Sequence, residues 1–143
     1  MTVYKINDLV KFDFIKIPKT LFANPKYKEM SSDAKLTYAL LYDRLSLSIQ
    51  NNWINADGEV YLVYTRGAIA EDLGITYKKA IAAFKELKEN NLIIDKQCGH
   101  GMPNYIFIVK PELSDTEAKK YTNKENSRPA EMECLDMTNV MKV

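Results

Sequence analysis

Histidine and cysteine are scarce in this chain of 143 residues, and long apolar runs are missing. A single histidine, His100, excludes a histidine-rich metal centre, and Cys98 and Cys134 stand in no disulfide or metal-binding pattern. No run of about 18 apolar residues occurs, and the first residues do not resemble a signal peptide. We therefore expect a cytoplasmic protein without metal or cofactor.

Catalytic signatures are missing as well. No Ser–His or Cys–His pair has a plausible third member, and no glycine-rich phosphate loop follows a predicted strand. Gly99 and Gly101 lie inside a predicted hairpin, which is the wrong context for binding a nucleotide. The sequence favours a binding protein over an enzyme.

Charge and composition suit one domain with a real core. The chain is 46% hydrophobic and 27% charged, with a formal net charge of +1. Residues 1–110 hold 15 Lys and Arg against 12 Asp and Glu, whereas residues 111–143 hold 5 against 7. A mildly basic body with a mildly acidic tail is compatible with DNA binding but does not establish it.

The first half of the chain predicts one long helix and one strand. The helix lies in "SSDAKLTYALLYDRLSLS", where Ser31 or Ser32 can cap it. Its apolar residues recur at helical spacing: Leu36, Ala39, Leu40, Leu47. An Asp57-Gly58 turn then precedes a strand over 60–64. The aromatic residues around this strand are expected to pack in the core or at its edge: Trp53, Tyr61, Tyr64.

A helix-turn-helix is predicted next. Thr65 precedes a short helix over 66–73, which Gly74 ends, and Thr76 caps a second helix running to about Asn90. A plain helical hairpin is the alternative interpretation. Strands over 92–96 and 105–109, joined by a Gly-rich loop, follow directly, and this order favours a winged helix. With the strand over 60–64 they would form a small three-stranded sheet.

The predicted architecture is therefore α+β. A winged-helix DNA-binding domain is expected over residues 1–110, with a polar linker or disordered tail over 111–143.

The segment "GITYKKAIAAF" opens the second helix and has two faces. One apolar face is expected to dock on Leu36, Leu40, Ile69 and Leu73, and consists of Ala80, Ala83, Phe84, Leu87. The opposite face and the exposed first turn hold Thr76, Tyr77, Lys78, Lys79, Ala82, Lys85. Ile81 lies between the two faces and stays unassigned.

The outward residues suit the major groove of DNA. Lysine donates to guanine O6 and N7, alanine contacts a thymine methyl, and Thr76 or Tyr77 can bond phosphate or base. The alternative is a solvated lysine face, which is the usual fate of charges on a helix. In the loop over 99–104, His100 and Asn104 can reach phosphate or the minor groove beside Lys96, although both can equally serve only as loop residues. Cys98 and His100 would give a metal only two ligands with no further pair, which disfavours a metal site there.

A family resemblance rests on these same stretches. "FIKIPKTLFANPKYKEMSSDAKLTYALLYDRLSLS", "NNWINADGEVYLVYTR", the helix pair and "KQCGHGMPNYIFI" follow in order and resemble the N-terminal domain of RepA_N replication initiators. The resemblance covers about residues 10–110. It implies a winged helix that binds repeated sites at the origin of theta-replicating plasmids and mobile elements of low-GC Gram-positive bacteria. It also implies a dimer, and a separate C-terminal domain, absent here, that engages host replication proteins.

Carried over by position, the resemblance assigns residues 76–79 to the groove and Lys96 with the loop over 99–104 to the wing. Met102 and Tyr105 stand where the family commonly has basic residues. The full set of expected DNA-binding residues is Arg66, Thr76, Tyr77, Lys78, Lys79, Ala82, Lys85, Lys96, His100, Asn104. The dimer contact is expected in the N-terminal stretch, at Tyr4, Ile6, Leu9, Val10, Phe12.

Two other functions remain compatible with the sequence. A transcriptional regulator of a mobile element would use the same winged helix and need no helicase-loading domain. A protein-interaction module would instead turn Tyr77, Ile81 and the tyrosine-rich sheet toward a protein partner.

Overall fold

Seven α-helices and one β-hairpin form in residues 2–8, 12–97 and 99–126, which the computed structural model describes. A 3-10 turn, Ile6–Asp8, lies in the N-terminal stretch. The elements that follow are α1 (Thr20–Ala23), α2 (Pro25–Lys28), α3 (Ser32–Asp43), α4 (Leu45–Gln50), α5 (Arg66–Leu73), α6 (Tyr77–Glu89), β1 (Ile93–Lys96), β2 (Tyr105–Ile108) and α7 (Asp115–Asn126).

Three helices, α3, α5 and α6, pack on one another and hold most of the core. Each begins at a hydroxyl side chain that accepts a backbone N–H of the first turn. Ser31 accepts from Ala34 over 3.1 Å, Thr65 accepts from the amide of residue 68 over 3.1 Å, and Thr76 accepts from Lys79 over 3.2 Å. These caps explain why the predicted starts of α5 and α6 are confirmed.

The sheet differs from the predicted three strands. β1 and β2 pair antiparallel, with Ile93 opposite Ile108 and Lys96 opposite Tyr105. The segment over 60–64 forms no regular strand, and its backbone pairs with β2 at an isolated bridge, in which Leu62 and Ile106 exchange N–H···O bonds of 2.8 and 2.9 Å. One bridge still fixes this segment against the hairpin, because both backbone groups of each residue are satisfied.

The predicted buried face of the long helix is partly wrong. Leu36 and Leu47 are exposed, at 42% each, while Ala39 is buried and Leu40 half-buried. The helix also breaks at Arg44 into α3 and α4. The side chains that α3 buries toward the core are instead Ala34, Thr37, Tyr38, Leu41. Contacts with α5 and α6 therefore decide which face turns inward.

The segment after the hairpin corrects the prediction of a linker or disordered tail from residue 111. The backbone amide of Glu112 donates to the Tyr27 hydroxyl over 2.9 Å, and its carbonyl accepts from Asn24 over 2.9 Å and lies 3.0 Å from the Thr20 hydroxyl oxygen. Glu117 on α7 accepts from the Thr20 hydroxyl over 2.8 Å. These partners, far away in the sequence, hold residues 112–117 against α1 and α2. Residues 127–143 lie outside the described part.

The predicted fold class is confirmed. A three-helix unit whose last two members form a helix-turn-helix, followed at once by a β-hairpin, is an α+β winged helix. The wing is β1, the loop over 97–104 and β2. Among the described residues, no helix has the length and hydropathy needed to cross a bilayer.

Candidate nucleic-acid interface

The two faces of α6 lie as the sequence predicts. Its apolar face is fully buried and consists of Ala80, Ala83, Phe84, Leu87. The opposite face and first turn are exposed and are here called the recognition face: Tyr77, Lys78, Lys79, Ala82, Lys85. Ile81, which the sequence left unassigned, is exposed as well. The helix is therefore held from one side and open from the other.

A glycine turn sets the angle at which α6 leaves α5. Gly74 ends α5 with φ 67° and ψ 35°, the left-handed region that side chains disfavour. The amide of Ile75 then donates to the carbonyl of Ala70 over 3.0 Å, which closes the turn. Thr76 begins α6 immediately afterwards, so its first turn projects from the core with no intervening loop.

The lysines of the recognition face are available for an external anion. Lys78, Lys79 and Lys85 are exposed, and none forms a salt bridge with a carboxylate in the described residues. Tyr77 is 58% exposed beside them. Thr76 also has a structural role, because its hydroxyl oxygen accepts the Lys79 amide and caps α6.

The wing carries three of the expected residues. Lys96 is exposed on β1, and His100 is exposed at the tip, where Gly99 and Gly101 turn the chain at φ 140° and 78°. Asn104 is half-buried at the start of β2. Cys98 lies outside the described residues. Within the described ranges, no three His, Cys, Asp or Glu side chains are grouped to hold a metal ion.

A cleft of about 440 Å³ separates the wing from the helix-turn-helix. Thr65 and Gly67 of the α5 start, Tyr77 of α6, and Met102 and Asn104 of the wing line it. The cleft brings together residues that the sequence assigned separately to groove and wing.

Arg66, one of the expected DNA contacts, lines the cleft and also forms contacts inside the protein. Its guanidinium forms a salt bridge with Asp95 on β1 over 2.8 Å and lies over the Phe84 ring, 4.6 Å from the centroid. Lys88, in the last turn of α6, approaches the same carboxylate at 3.6 Å. Asp95 was missed by the sequence analysis, since a lone aspartate is rarely buried, although the alternation of the strand places it on the same face as the buried Ile93.

Aromatic rings cover the outer face of the sheet. Tyr61 stacks on Tyr105 with 4.3 Å between centroids, and Trp53 stacks on Tyr61 at 6.3 Å. Phe107 tilts against Tyr61 at 6.1 Å. The predicted packing role of Trp53 and Tyr61 is confirmed, because their rings contact one another and β2.

Tyr64 anchors a second polar cluster behind the cleft. Its hydroxyl donates to Asp72, and Arg44 lies over its ring at 4.7 Å while pairing with Asp72 at 3.7 Å. Burial, together with the Asp72 hydrogen bond, raises the pKa of Tyr64 to about 12. The phenol therefore stays protonated and donates throughout the physiological range.

Comparison with known proteins agrees with this architecture. The family model described as the replication initiator protein A (RepA) N-terminus, RepA_N, matches residues 13–123. The chain belongs to the RepA_N family. The match includes α1, the helix-turn-helix, the wing and most of α7, so the contacts of Glu112 and Glu117 with α1 and α2 lie within the family domain.

One curated relative is much longer than the region it shares. A "41 kDa protein" from Lactobacillus helveticus is 31% identical over 110 residues, which are 73% of this chain and 31% of that protein. The chain thus spans about a third of that relative.

Solved structures resemble nearly the whole described RepA_N domain. A structure described as the N-terminal domain of a DNA binding protein has a TM-score of 0.71 at 32% identity and covers 90% of this chain and 98% of that one. A structure of a Rep–DNA complex has a TM-score of 0.71 at 33% identity and likewise covers 90% of this chain and 98% of that chain. A structure of an MDR initiator has a TM-score of 0.69 at 36% identity and covers 88% of this chain and 100% of that chain.

Proposed function

We propose that this chain binds double-stranded DNA sequence-specifically at repeated sites of a plasmid replication origin and thereby starts theta replication. The observation that carries the proposal is the exposed first half of α6, where Tyr77, Lys78 and Lys79 lie together beside the cleft and the wing. Membership in the RepA_N family and the likeness to a domain solved in a Rep–DNA complex support the same role.

The recognition face enters the major groove. Lys78 and Lys79 donate to guanine O6 and N7, Ala82 contacts a thymine methyl, and Lys85 meets a phosphate farther along the helix. Thr76 keeps its oxygen on the Lys79 amide and has its hydroxyl hydrogen left to donate to a phosphate. An exposed small side chain at position 82 lets the backbone of α6 approach the base edges.

The wing lies along the phosphate backbone or the minor groove. Lys96, His100 and Asn104 are its polar contacts, and Asn104 reaches the strand that occupies the cleft. Because the tip also holds the apolar Met102, its electrostatic contribution is small, and α6 supplies most of the affinity.

We further propose that the initiator acts in the cytoplasm as a homodimer and contacts host replication proteins through a further domain. Exposed apolar side chains of the N-terminal stretch, Tyr4, Ile6 and Phe12, support a dimer contact there. Leu9 and Val10, which belong to the same expected contact, lie outside the described residues.

A binding titration tests the DNA proposal. A duplex carrying the repeats of the replicon is compared with a scrambled duplex of equal length, for the parent chain and for Lys78→Gln and Lys79→Gln. Each substitution should weaken binding to the repeats by roughly 1–3 kcal/mol where the lysine reads a base. Lys28→Gln on α2, another exposed lysine, is the matched control and should change neither affinity.

The outcomes separate the candidate functions. Equal affinity for repeats and scrambled duplex would exclude an origin-specific role. Absence of any shift with duplex DNA at low salt would favour the protein-interaction module, with Tyr77 and Ile81 facing a protein.

A further inference from the structure

The carboxylate of Asp95 connects three elements of the winged helix: β1, α5 and α6. It lies on β1 with its side chain only 3% exposed, and its Oδ2 contacts Arg66 at the start of α5 and Lys88 at the end of α6. Its other oxygen, Oδ1, is buried and has no hydrogen-bond partner among the described residues. The charge of this carboxylate is therefore compensated almost entirely through Oδ2.

Arg66 is the main compensating group. Its nitrogen lies 2.8 Å from Asp95, against 3.6 Å for the ammonium of Lys88, whose side chain is also the more exposed, at 46% against 25%. The guanidinium in addition covers the buried Phe84 ring at 4.6 Å. Arg66 thus contacts the wing base and the core of α6 with one planar group.

Moving Arg66 onto a DNA phosphate would uncover a buried charge. Lys88, at 3.6 Å, would be the cation left beside that desolvated carboxylate, and losing the closer Arg66 contact costs more than a solvent-screened phosphate contact returns. An ion pair of this kind adds little net stability compared with apolar side chains of the same volume. Its effect lies in fixing the geometry of the elements that it joins.

We infer that Arg66 and Asp95 are positioning residues whose ion pair fixes the wing against the helix-turn-helix, and that Arg66 does not bind a phosphate. The consequence for DNA binding rests on the proposed function. The fixing of the wing against the helix-turn-helix does not depend on the proposed function, because the ion pair is present in the free protein.

The DNA measurement uses Arg66→Met and Asp95→Asn. Both should lower affinity for the repeats by roughly tenfold and should lower the ratio of repeat to scrambled affinity. A loss of folded protein would reduce both affinities together and leave that ratio unchanged. The double variant should be no worse than either single one, and Arg66→Lys should restore part of the ratio.

Salt dependence separates this role from phosphate binding. With Arg66→Met the slope of log K against log salt should stay at the parent value, whereas loss of a phosphate ligand would reduce it by about 0.9. Asp95→Asn tests the same point. If Arg66 bound a phosphate, its release from Asp95 would preserve or raise the affinity for DNA, and either result would overturn the inference.

The free-protein measurement is amide hydrogen exchange. In Arg66→Met, exchange should accelerate at Leu62 and Ile106, whose amides bond across the wing base, more than at amides in the middle of α3. Uniform acceleration, or none, overturns the inference even if no DNA is bound. Lys26→Met is the matched control, since Lys26 also lies over an aromatic ring, that of Tyr27, and pairs with a carboxylate, that of Glu112, and neither partner belongs to the wing.

Discussion

The hydroxyl of Tyr38 donates a hydrogen bond to the carbonyl of Val109 over 2.8 Å and so joins the middle of α3 to the residue that follows β2. Tyr38 is fully buried, and burial raises its pKa to about 12. The bond ties the exit of the wing to the helical core, so the wing is held at both ends, by this contact and by the Asp95 ion pair.

Tyr38→Phe should therefore destabilise the domain. The substitution keeps the ring and removes only the hydroxyl, which leaves the Val109 carbonyl without this donor at a cost of roughly 1–3 kcal/mol. Urea denaturation followed by circular dichroism measures the loss. Tyr42→Phe makes the same change on an exposed ring of α3 and should be neutral; equal losses in the two variants would contradict the assigned bond.

Two glycine-to-alanine substitutions should have opposite signs. Gly74 has a φ of 67°, so a side chain there should cost roughly 1–2 kcal/mol. Gly67 lies within α5, and a Cβ on it would meet nothing nearer than the Thr65 hydroxyl at 3.9 Å. Gly67→Ala should be neutral or stabilise by up to about 0.5–1 kcal/mol. Melting temperatures compare the pair, and destabilisation by both would refute the distinction.

The attachment of α7 should weaken in acid. Burial raises the pKa of Glu117, but hydrogen bonds from Thr20 and Ser114 outweigh it, so the pKa lies below its usual value of 4.5. A carboxyl with a lowered folded pKa stabilises above its unfolded pKa and loses that contribution as the pH falls through the folded value. The NMR shifts of the residue 117 and 118 amides should follow this change.

The acid response has two controls. Glu117→Gln removes the ionisable group and should abolish the pH dependence of these shifts. The amide of Ile106 reports the core, and simultaneous loss of its signal would show global unfolding instead of release of α7.

The N-terminal stretch should control the oligomeric state. A chain that begins at Ile15 lacks Tyr4, Ile6 and Phe12 but keeps every helix of the winged unit. Light scattering should give a monomer for this chain and a dimer for the full one. Removal of residues 127–143 is the comparison and should leave the dimer intact; a dimer in both shortened chains would place the contact elsewhere.

Local signals account for the parts of the fold that the sequence predicted. Thr65, Gly74 and Thr76 each act on backbone groups within a few residues of themselves, so the bounds of α5 and α6 follow from short stretches of sequence. The two faces of α6 likewise follow from helical periodicity. These elements also carry the recognition face, which is why most candidate contacts could be named from sequence.

Partners distant in the chain account for the rest. Thr20 meets Glu117 across 97 residues, and Arg66 meets Asp95 across 29, so no local pattern indicates either contact. Leu36 is exposed although leucine favours the core, because the packing of α3 on α5 and α6 turns another face inward. The sequence therefore predicts Arg66 as a DNA contact, whereas its ion pair with Asp95 is visible only in the folded structure.

The bridge between Leu62 and Ile106 lies at the base of the wing, so a small rotation there moves the wing tip by a larger distance. From Ile106 the chain runs back through Tyr105 and the loop over 101–104 to the tip at Gly101, and about five residues at no more than ~3.3 Å each give an arm of at most ~16 Å. A rotation of about 5° at the base would displace the tip by ~1.4 Å, which exceeds the roughly 0.5 Å range of good N–H···O distances. In the proposed complex, the position of His100 at the wing tip therefore depends on the geometry of the bridge at the wing base.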